Sequence, residues 1–234
     1  MIHDPEIAFP AIECISSLPE KGLLAAMPVS PLRRHASAEL QAAPPLTGGL
    51  TALSVGPERF LAGPVLGAPQ AVMALEELGR RRVKEVIFVG LAGSLGTGLK
   101  PGDLYCPEAG FSTEGTSAHY PAPLSPDAAL RQKILKAARR MKITSGPIWT
   151  TDAIYRETAS LVEKHKALGV AAVDMETTAL WAAAFFRGIR LASLLVISDV
   201  LDGLTHQPGF HLSEFKTGLD LAAKLAWRAL AAQD

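Results

Sequence analysis

Two short stretches of the sequence, Val86–Val89 and Leu194–Ile197, are apolar at every position. Strands with apolar side chains on both faces are typical of the parallel strands inside an α/β domain, which helices cover on both sides. Further short apolar runs alternate with helical patterns along the chain, as expected for this fold class. The predicted strands are Leu23–Met27, Leu50–Val55, Arg59–Ala62, Glu85–Val89, Leu104–Pro107, Ile143–Thr150, Ala171–Met175 and Leu191–Ile197.

Helical patterns fill the gaps between these strands. Pro69 stands at a position where the first turn of a helix accepts proline. Ser160 and Glu163 form a capping-box pattern, and Gly169 is placed to end the same helix. The C-terminal segment repeats apolar residues at helical spacing, which predicts a helix packed on the core.

The chain shows no internal repeat and no linker that would divide it. Its Pro- and Gly-rich stretches, Ala43–Gly49 and Tyr120–Pro126, are short enough to be surface loops. We therefore predict one α/β domain over residues 1–234.

The charge balance argues against a nucleic-acid partner. Lys plus Arg and Asp plus Glu number 23 each, so the formal net charge is zero, whereas nucleic-acid-binding proteins carry a basic surplus or stripe. Cys14 and Cys106 make neither a disulfide framework nor a metal-ligand spacing, so no metal is predicted. No signal peptide and no long apolar span is evident, which favours a cytoplasmic protein with no membrane contact.

Ligands of open α/β sheets bind at the carboxyl ends of the strands. The glycine-rich stretch Gly90–Gly96 follows one predicted strand end. It lacks the Gly-Lys-Ser/Thr of a nucleotide P-loop and the spacing of the dinucleotide fingerprint. Either it forms tight turns, or its backbone N–H groups approach an anion.

Two acidic residues also follow predicted strands. Glu176 is either a carboxylate that favours a helix start or an acceptor for two adjacent sugar hydroxyls. Asp199 is either the cap of a turn or a general acid that protonates a leaving group. His119 and His206 are further acid/base candidates, although single histidines in such loops are more often structural.

Several blocks together resemble the nucleoside phosphorylase family, which includes purine nucleoside and uridine phosphorylases. They occur in the family's order over most of the chain. The blocks are Met27–Arg33, Gly67-Ala68-Pro69, Glu114–Tyr120, Trp149–Thr158, Val173–Glu176 and Ser198-Asp199.

This resemblance implies a mixed central sheet flanked by helices and a set of site residues. The implied catalytic residue is Asp199, which would protonate a purine base. The implied substrate-binding residues are Asp174, Met175, Glu176, Ser198, Gly93, Thr116 and Arg156. The implied phosphate-binding residues are Arg33, Gly90 and Ser94.

The chain departs from the family at its phosphate site. Phe88 stands where many phosphorylases carry an Arg, Leu91 where they carry a Ser or Thr, and Val29-Ser30 replaces Gly-Asp. The departures leave three functions open: a phosphorylase, a nucleoside hydrolase that uses water, and a non-catalytic nucleoside-binding relative. Against the hydrolase branch, Leu195 replaces an Arg, and the family's water-activating Glu near Met27 is missing.

The expected ligands are a purine nucleoside, with uridine as an alternative, and orthophosphate as co-substrate without another cofactor. The resemblance also implies a homo-oligomer, a dimer or a hexamer. In such assemblies a neighbouring subunit completes the site, and His3 or His35 are the candidates for that contribution.

Overall fold

The computed structural model describes residues 17–36, 38–46, 49–139, 141–202 and 205–232. Within these residues twelve strands form one sheet. They are β1 (Lys21–Ala25), β2 (Leu40–Leu46), β3 (Leu50–Val55), β4 (Arg59–Gly63), β5 (Glu85–Ser94), β6 (Leu104–Tyr105), β7 (Ala109–Ser112), β8 (Ile143–Thr144), β9 (Pro147–Thr150), β10 (Ala172–Asp174), β11 (Arg190–Asp202) and β12 (Thr205–Pro208). The α-helices are α1 (Val29–Arg34), α2 (Ala68–Arg80), α3 (Ala128–Ala138), α4 (Ala159–Ala167), α5 (Thr177–Arg187) and α6 (Ser213–Ala231).

Strand β5 is the centre of this sheet. Along one edge it pairs in parallel with β11 from end to end. Along the other edge its first half pairs in parallel with β1, and its last residues, Gly93 and Ser94, pair antiparallel with β10. The strand order is β2-β3-β4-β1-β5-β10-β9-β7, while β11 also carries β12 and β6. The predicted mixed α/β sheet is confirmed.

The apolar run in β5 explains why helices cover both faces of the sheet. Val86 and Phe88 point to the side of α2 and α5, where they join a cluster with Leu75 of α2. Ile87 and Val89 point to the side of α3 and α6. All four strand residues are fully buried, and burial of each such side chain contributes about 1.5–3 kcal/mol.

The predicted surface loop Ala43–Gly49 is wrong, because β2 continues through Leu46. Among the described residues this strand lies at the edge of the sheet and pairs with β3 alone, with a register shift between Ala43 and Leu46. Proline is tolerated there, since an edge strand leaves some N–H positions unpaired. The carbonyls of Pro44 and Pro45 accept hydrogen bonds from the buried Arg81 guanidinium.

The predicted capping box of Ser160 and Glu163 is also wrong. Helix α4 has Thr158 as its N-cap, so Ser160 lies inside the first turn, where its hydroxyl is 3.1 Å from that of Thr158. Gly169 follows the end of α4 with φ 79°, a left-handed conformation that glycine adopts without strain, as predicted. The single strand predicted over Ile143–Thr150 is divided into β8 and β9.

Two strands are longer than predicted, and both extensions enter the site. β5 continues past Val89 to Ser94, and β11 continues past Ile197 to Asp202, with a register shift between Ile197 and Asp199. The glycine-rich stretch is therefore largely strand. At Gly90 a Cβ would lie 2.9 Å from the Phe88 ring, so close packing within the sheet accounts for this glycine.

Candidate active site

A cleft of about 500 Å³ opens where β1, β10 and the extended parts of β5 and β11 end. This volume lies in the range of small-molecule sites. Its lining combines apolar walls with four carboxylic acids and one imidazole. The lining residues are Ala26, Leu66, Leu91, Ala92, Gly93, Ile154, Tyr155, Glu157, Val173, Asp174, Met175, Glu176, Ser198, Asp199, Leu201, His206 and Phe210.

Glu176 lies at the junction of β10 and α5, where it is the N-cap residue of the helix. Its side chain is buried, and its Oε1 accepts a hydrogen bond of 2.6 Å from the N–H of Gly67, the N-cap residue of α2. Burial and the neighbouring Asp174 carboxylate raise the pKa of Glu176 well above its ordinary value. The starts of two helices thus meet at one carboxylate in the cleft.

Asp174, at the end of β10, has its oxygens occupied by protein donors. Oδ1 accepts from the Thr150 hydroxyl at 2.7 Å, and Oδ2 accepts from the N–H of Thr177 at 2.9 Å. Burial raises the pKa of Asp174, although these hydrogen bonds act in the opposite direction. The side chain therefore fixes the start of α5 and with it the position of Glu176.

Asp199 follows the irregularity in β11 and reaches the cleft from the opposite side. Its Oδ1 accepts from the Ser198 hydroxyl at 2.5 Å, and its Oδ2 lies 3.0 Å from Nε2 of His206. Beside it, a Cβ on Gly93 would lie 3.1 Å from Oδ2. The absence of a side chain at Gly93 keeps this face of the carboxylate open.

A further carboxylic acid, Glu157, lies in the cleft and was not among the predicted site residues. It directly follows the short 3₁₀ turn Ile154–Arg156. Burial and the nearby negative charge of Asp199 raise the pKa of Glu157 to about 7. A single Glu in a loop matches no motif, so its sequence position inside the Trp149–Thr158 block was the one available signal.

The structure brings six predicted site residues to the cleft and leaves five outside its lining. Those in the lining are Asp174, Met175, Glu176, Ser198, Gly93 and Asp199. Those outside are Thr116, Arg156, Arg33, Gly90 and Ser94.

Each residue outside the lining has a distinct environment. Thr116 donates its N–H to Glu114 Oε2 at 2.5 Å, and Arg156 is exposed on the 3₁₀ turn. Arg33 is exposed on α1, whereas Gly90 and Ser94 are buried within β5. The three predicted phosphate contacts therefore do not converge on the cleft within this one chain.

Two other predicted histidines, His119 and His35, are not among the cleft-lining residues. His119 is exposed at the end of a 3₁₀ turn, and His35 pairs with Asp220 of α6 at 2.9 Å. His3 lies outside the described residues. In the part of the chain that is described, no helix is long and apolar enough to cross a membrane.

The family model of the phosphorylase superfamily matches residues 21–232. The chain therefore belongs to the phosphorylase superfamily, which confirms the family resemblance and the predicted enzyme class at the level of the family.

Named relatives are similar over part or most of the chain. A guanosine phosphorylase of Halorubrum lacusprofundi is 29% identical over 58% of this chain and 58% of its own length. An uncharacterised protein of Acanthamoeba polyphaga mimivirus is 32% identical over 59% of this chain and 55% of its own length. The chain thus spans a little over half the length of these two. A DeoD-type purine nucleoside phosphorylase of Hahella chejuensis is 28% identical over 86% of this chain and 91% of its own length.

Solved structures share the fold at low sequence identity. A purine nucleoside phosphorylase of Toxoplasma gondii, in complex with immucillin-H, has a TM-score of 0.80 at 18% identity, covering 93% of this chain and 91% of that one. A uridine phosphorylase of Vibrio fischeri has a TM-score of 0.79 at 22% identity, covering 96% of this chain and 100% of that one.

Proposed function

We propose that this protein cleaves the N-glycosidic bond of a purine nucleoside. The observation that supports this proposal is that Glu176, which follows β10, and Asp199, which lies within β11, line one cleft. Cleavage builds positive charge on the ribose and negative charge on the departing base. An acidic group at each end of the bond lowers the energy of that transition state more than the energy of the bound substrate.

Glu176 would hold the ribose. Its Oε1 accepts the N–H of Gly67, and its Oε2 would accept hydrogen bonds from the 2′ and 3′ hydroxyls. The cost of ionising a buried carboxylate falls when a cation forms beside it. Ionised Glu176 therefore interacts more strongly with the oxocarbenium-like ribose than with the neutral substrate.

Asp199 would protonate the base. A purine presents N7 as a proton acceptor on the edge away from the sugar, and the open face beside Gly93 gives that edge access to the carboxyl group. General acid catalysis of this kind is typically worth about 10²–10⁴-fold in rate. Val173, Met175 and Ile154 in the cleft lining supply apolar surface for the ring.

The proposed acceptor of the ribosyl group is orthophosphate, in keeping with the phosphorylase names of the relatives. Arg33 and the Gly90–Ser94 segment are the residues that the resemblance assigns to it. Arg–phosphate pairing is charge-assisted and directional, and Arg33 is exposed on α1, the helix that follows β1.

Water is a second candidate acceptor, and one observation favours it. No lysine or arginine occurs among the described residues that line the cleft, whereas four carboxylic acids do. A phosphate dianion is repelled by ionised carboxylates, but water is not. On this alternative the protein is a nucleoside hydrolase.

One assay tests the proposal and separates the two acceptors. Purine and pyrimidine nucleosides are incubated with and without phosphate, and free base, ribose and ribose 1-phosphate are quantified. Phosphate-dependent base release with ribose 1-phosphate is expected for the phosphorylase. Release of base and free ribose without phosphate identifies the hydrolase, and binding without any base release contradicts both and identifies a non-catalytic relative.

The proposal includes a homo-oligomer, a dimer or a hexamer, in the cytoplasm. Large apolar side chains remain exposed on the single chain, among them Met73 of α2 and Phe185 of α5. Exposed apolar patches often mark contact surfaces. Sedimentation of the purified protein at the monomer mass would argue against this part of the proposal.

A further inference from the structure

We propose that His206 is the proton relay of Asp199, carrying protons from solvent to the carboxyl group that protonates the leaving base. This inference rests on the proposed function, because it assigns a role within that reaction. His206 would not touch the substrate's reacting atoms; it would act through Asp199.

The geometry of the pair suits a relay. Asp199 Oδ2 lies 3.0 Å from Nε2 of His206, while the Ser198 hydroxyl occupies Oδ1. The Asp199 side chain is 16% exposed and that of His206 is 55% exposed. The imidazole thus joins a mostly buried carboxyl group to bulk water through the one carboxylate oxygen that the serine leaves available.

The strand register holds the two side chains together. In the antiparallel pair of β11 and β12, Asp199 is opposite Pro208 and Leu201 is opposite His206. Asp199 and His206 are therefore diagonal neighbours on the same face of the pair, a separation that long side chains bridge. The backbone pairing therefore places the imidazole within reach of the carboxylate.

The charges around the pair favour the arrival of a proton. Glu157 faces Asp199 from the 3₁₀ turn, and Asp174 and Glu176 lie across the same cleft. Further along β11, Asp202 interacts with Lys166 of α4. In their ionised forms these acidic groups attract cations, including protons, to the cleft.

The proton transfers balance over one turnover. The imidazolium N–H proton moves to the Asp199 carboxylate, and the carboxyl group passes it to N7 of the base. The C1′–N9 bond breaks and its electron pair leaves with the base, while the acceptor oxygen bonds to C1′. The acceptor releases its proton to solvent as its oxygen bonds to C1′, and His206 takes up one proton from solvent in turn, so that no net proton is gained or lost. Asp199 returns to its ionised form, and no oxidant or reductant is required.

The test uses His206→Ala with two substrates. For a purine nucleoside, whose base leaves as a poor anion, kcat at neutral pH should fall by about 10²-fold, the low edge of a general-acid effect. For 4-nitrophenyl riboside, whose leaving group departs without a proton, kcat should stay within about twofold of the wild type. Added imidazole should restore purine nucleoside turnover in the variant.

His119→Ala is the matched control, since His119 is exposed and lies outside the cleft lining; it should retain wild-type rates on both substrates. Equal losses on the two substrates in His206→Ala would assign the histidine a structural role and overturn the relay. Unchanged rates on both would overturn it as well, with the proposed function intact. If the wild-type protein releases no base from any nucleoside, the proposed function itself fails.

Discussion

Gly93 of β5 and Asp199 of β11 meet so closely that a Cβ on residue 93 would lie 3.1 Å from the Asp199 carboxylate. The two strands run in parallel at this point, with Gly93 and Asp199 directly paired. Glycine at this position therefore leaves the space beside the proposed acid that a base would enter.

Gly93→Ala is expected to reduce kcat/KM for a purine nucleoside by at least about tenfold, because displacing a catalytic group by 1 Å can cost about 10²-fold. The added methyl group would also lie 3.4 Å from Val173, within the cleft wall. Steady-state kinetics measures the effect. Gly115→Ala is the control, since its Cβ would have 4.0 Å to the nearest atom. Equal kinetics in the two variants would contradict the assigned role of Gly93.

Glu176→Gln is expected to impair ribonucleosides more than 2′-deoxyribonucleosides. The amide keeps the size of the side chain but loses the charge that would bind the 2′ hydroxyl and face the cationic ribose. The measurement is the ratio of kcat/KM for the two sugars, before and after substitution. A ratio that does not change would show that the 2′ hydroxyl is bound elsewhere.

Stability should decrease as the pH rises from about 4.5 to about 7, in part because of Glu157. Its pKa in the folded protein is raised to about 7 from 4.5, so over this range the folded state binds more protons than the unfolded state. The resulting slope of the unfolding free energy with pH is negative. Glu157→Gln removes this contribution. We therefore expect the difference in thermal midpoint, variant minus wild type, to be larger at pH 8 than at pH 4.5. A constant difference across this range would contradict the prediction.

Arg81→Ala is expected to destabilise the protein by about 3–5 kcal/mol, the usual cost of breaking a buried ion pair. The Arg81 side chain is 3% exposed, and its guanidinium pairs with Glu77 at 2.5 Å. It also holds the edge strand β2 through the carbonyls of Pro44 and Pro45. Urea unfolding gives the free energy, and Arg80→Ala, at an exposed position of the same helix end, should change it by less than about 0.5 kcal/mol.

Local patterns in the sequence predicted the centre of the fold well. The uninterrupted apolar runs predicted β5 and β11. A strand that is covered on both faces has apolar residues at consecutive positions, and such a run is easy to recognise in a sequence. The edge strands β2, β7 and β12 were missed. The four residues of β12 are exposed, and β2 contains Pro44 and Pro45. Neither strand therefore shows the alternation of apolar and polar residues that predicts a half-buried strand.

The site was predictable only where a local pattern exists. Glu176 follows β10, and Asp199 follows the apolar run within β11, so the rule for strand ends found them. Glu157 reaches the cleft through an irregular turn, and the pairing of His206 with Asp199 depends on the register of β12. Both are consequences of tertiary structure. Gly90 was predicted as part of a loop, but it lies within β5, where its lack of a side chain allows close packing against the Phe88 ring.

The extension of β11 separates a buried part of the strand from a projecting part that lines the cleft. Residues Leu191–Ile197 are buried beneath helices, but Asp199, Val200 and Leu201 lie in the part of the strand that projects past them and pairs with exposed β12. On the proposed function, substitutions in this projecting part would alter the groups around a departing base and leave the buried Leu191–Ile197 unchanged. New leaving-group preferences could therefore evolve through this hairpin while the scaffold stays constant, and libraries for engineering selectivity are best confined to it.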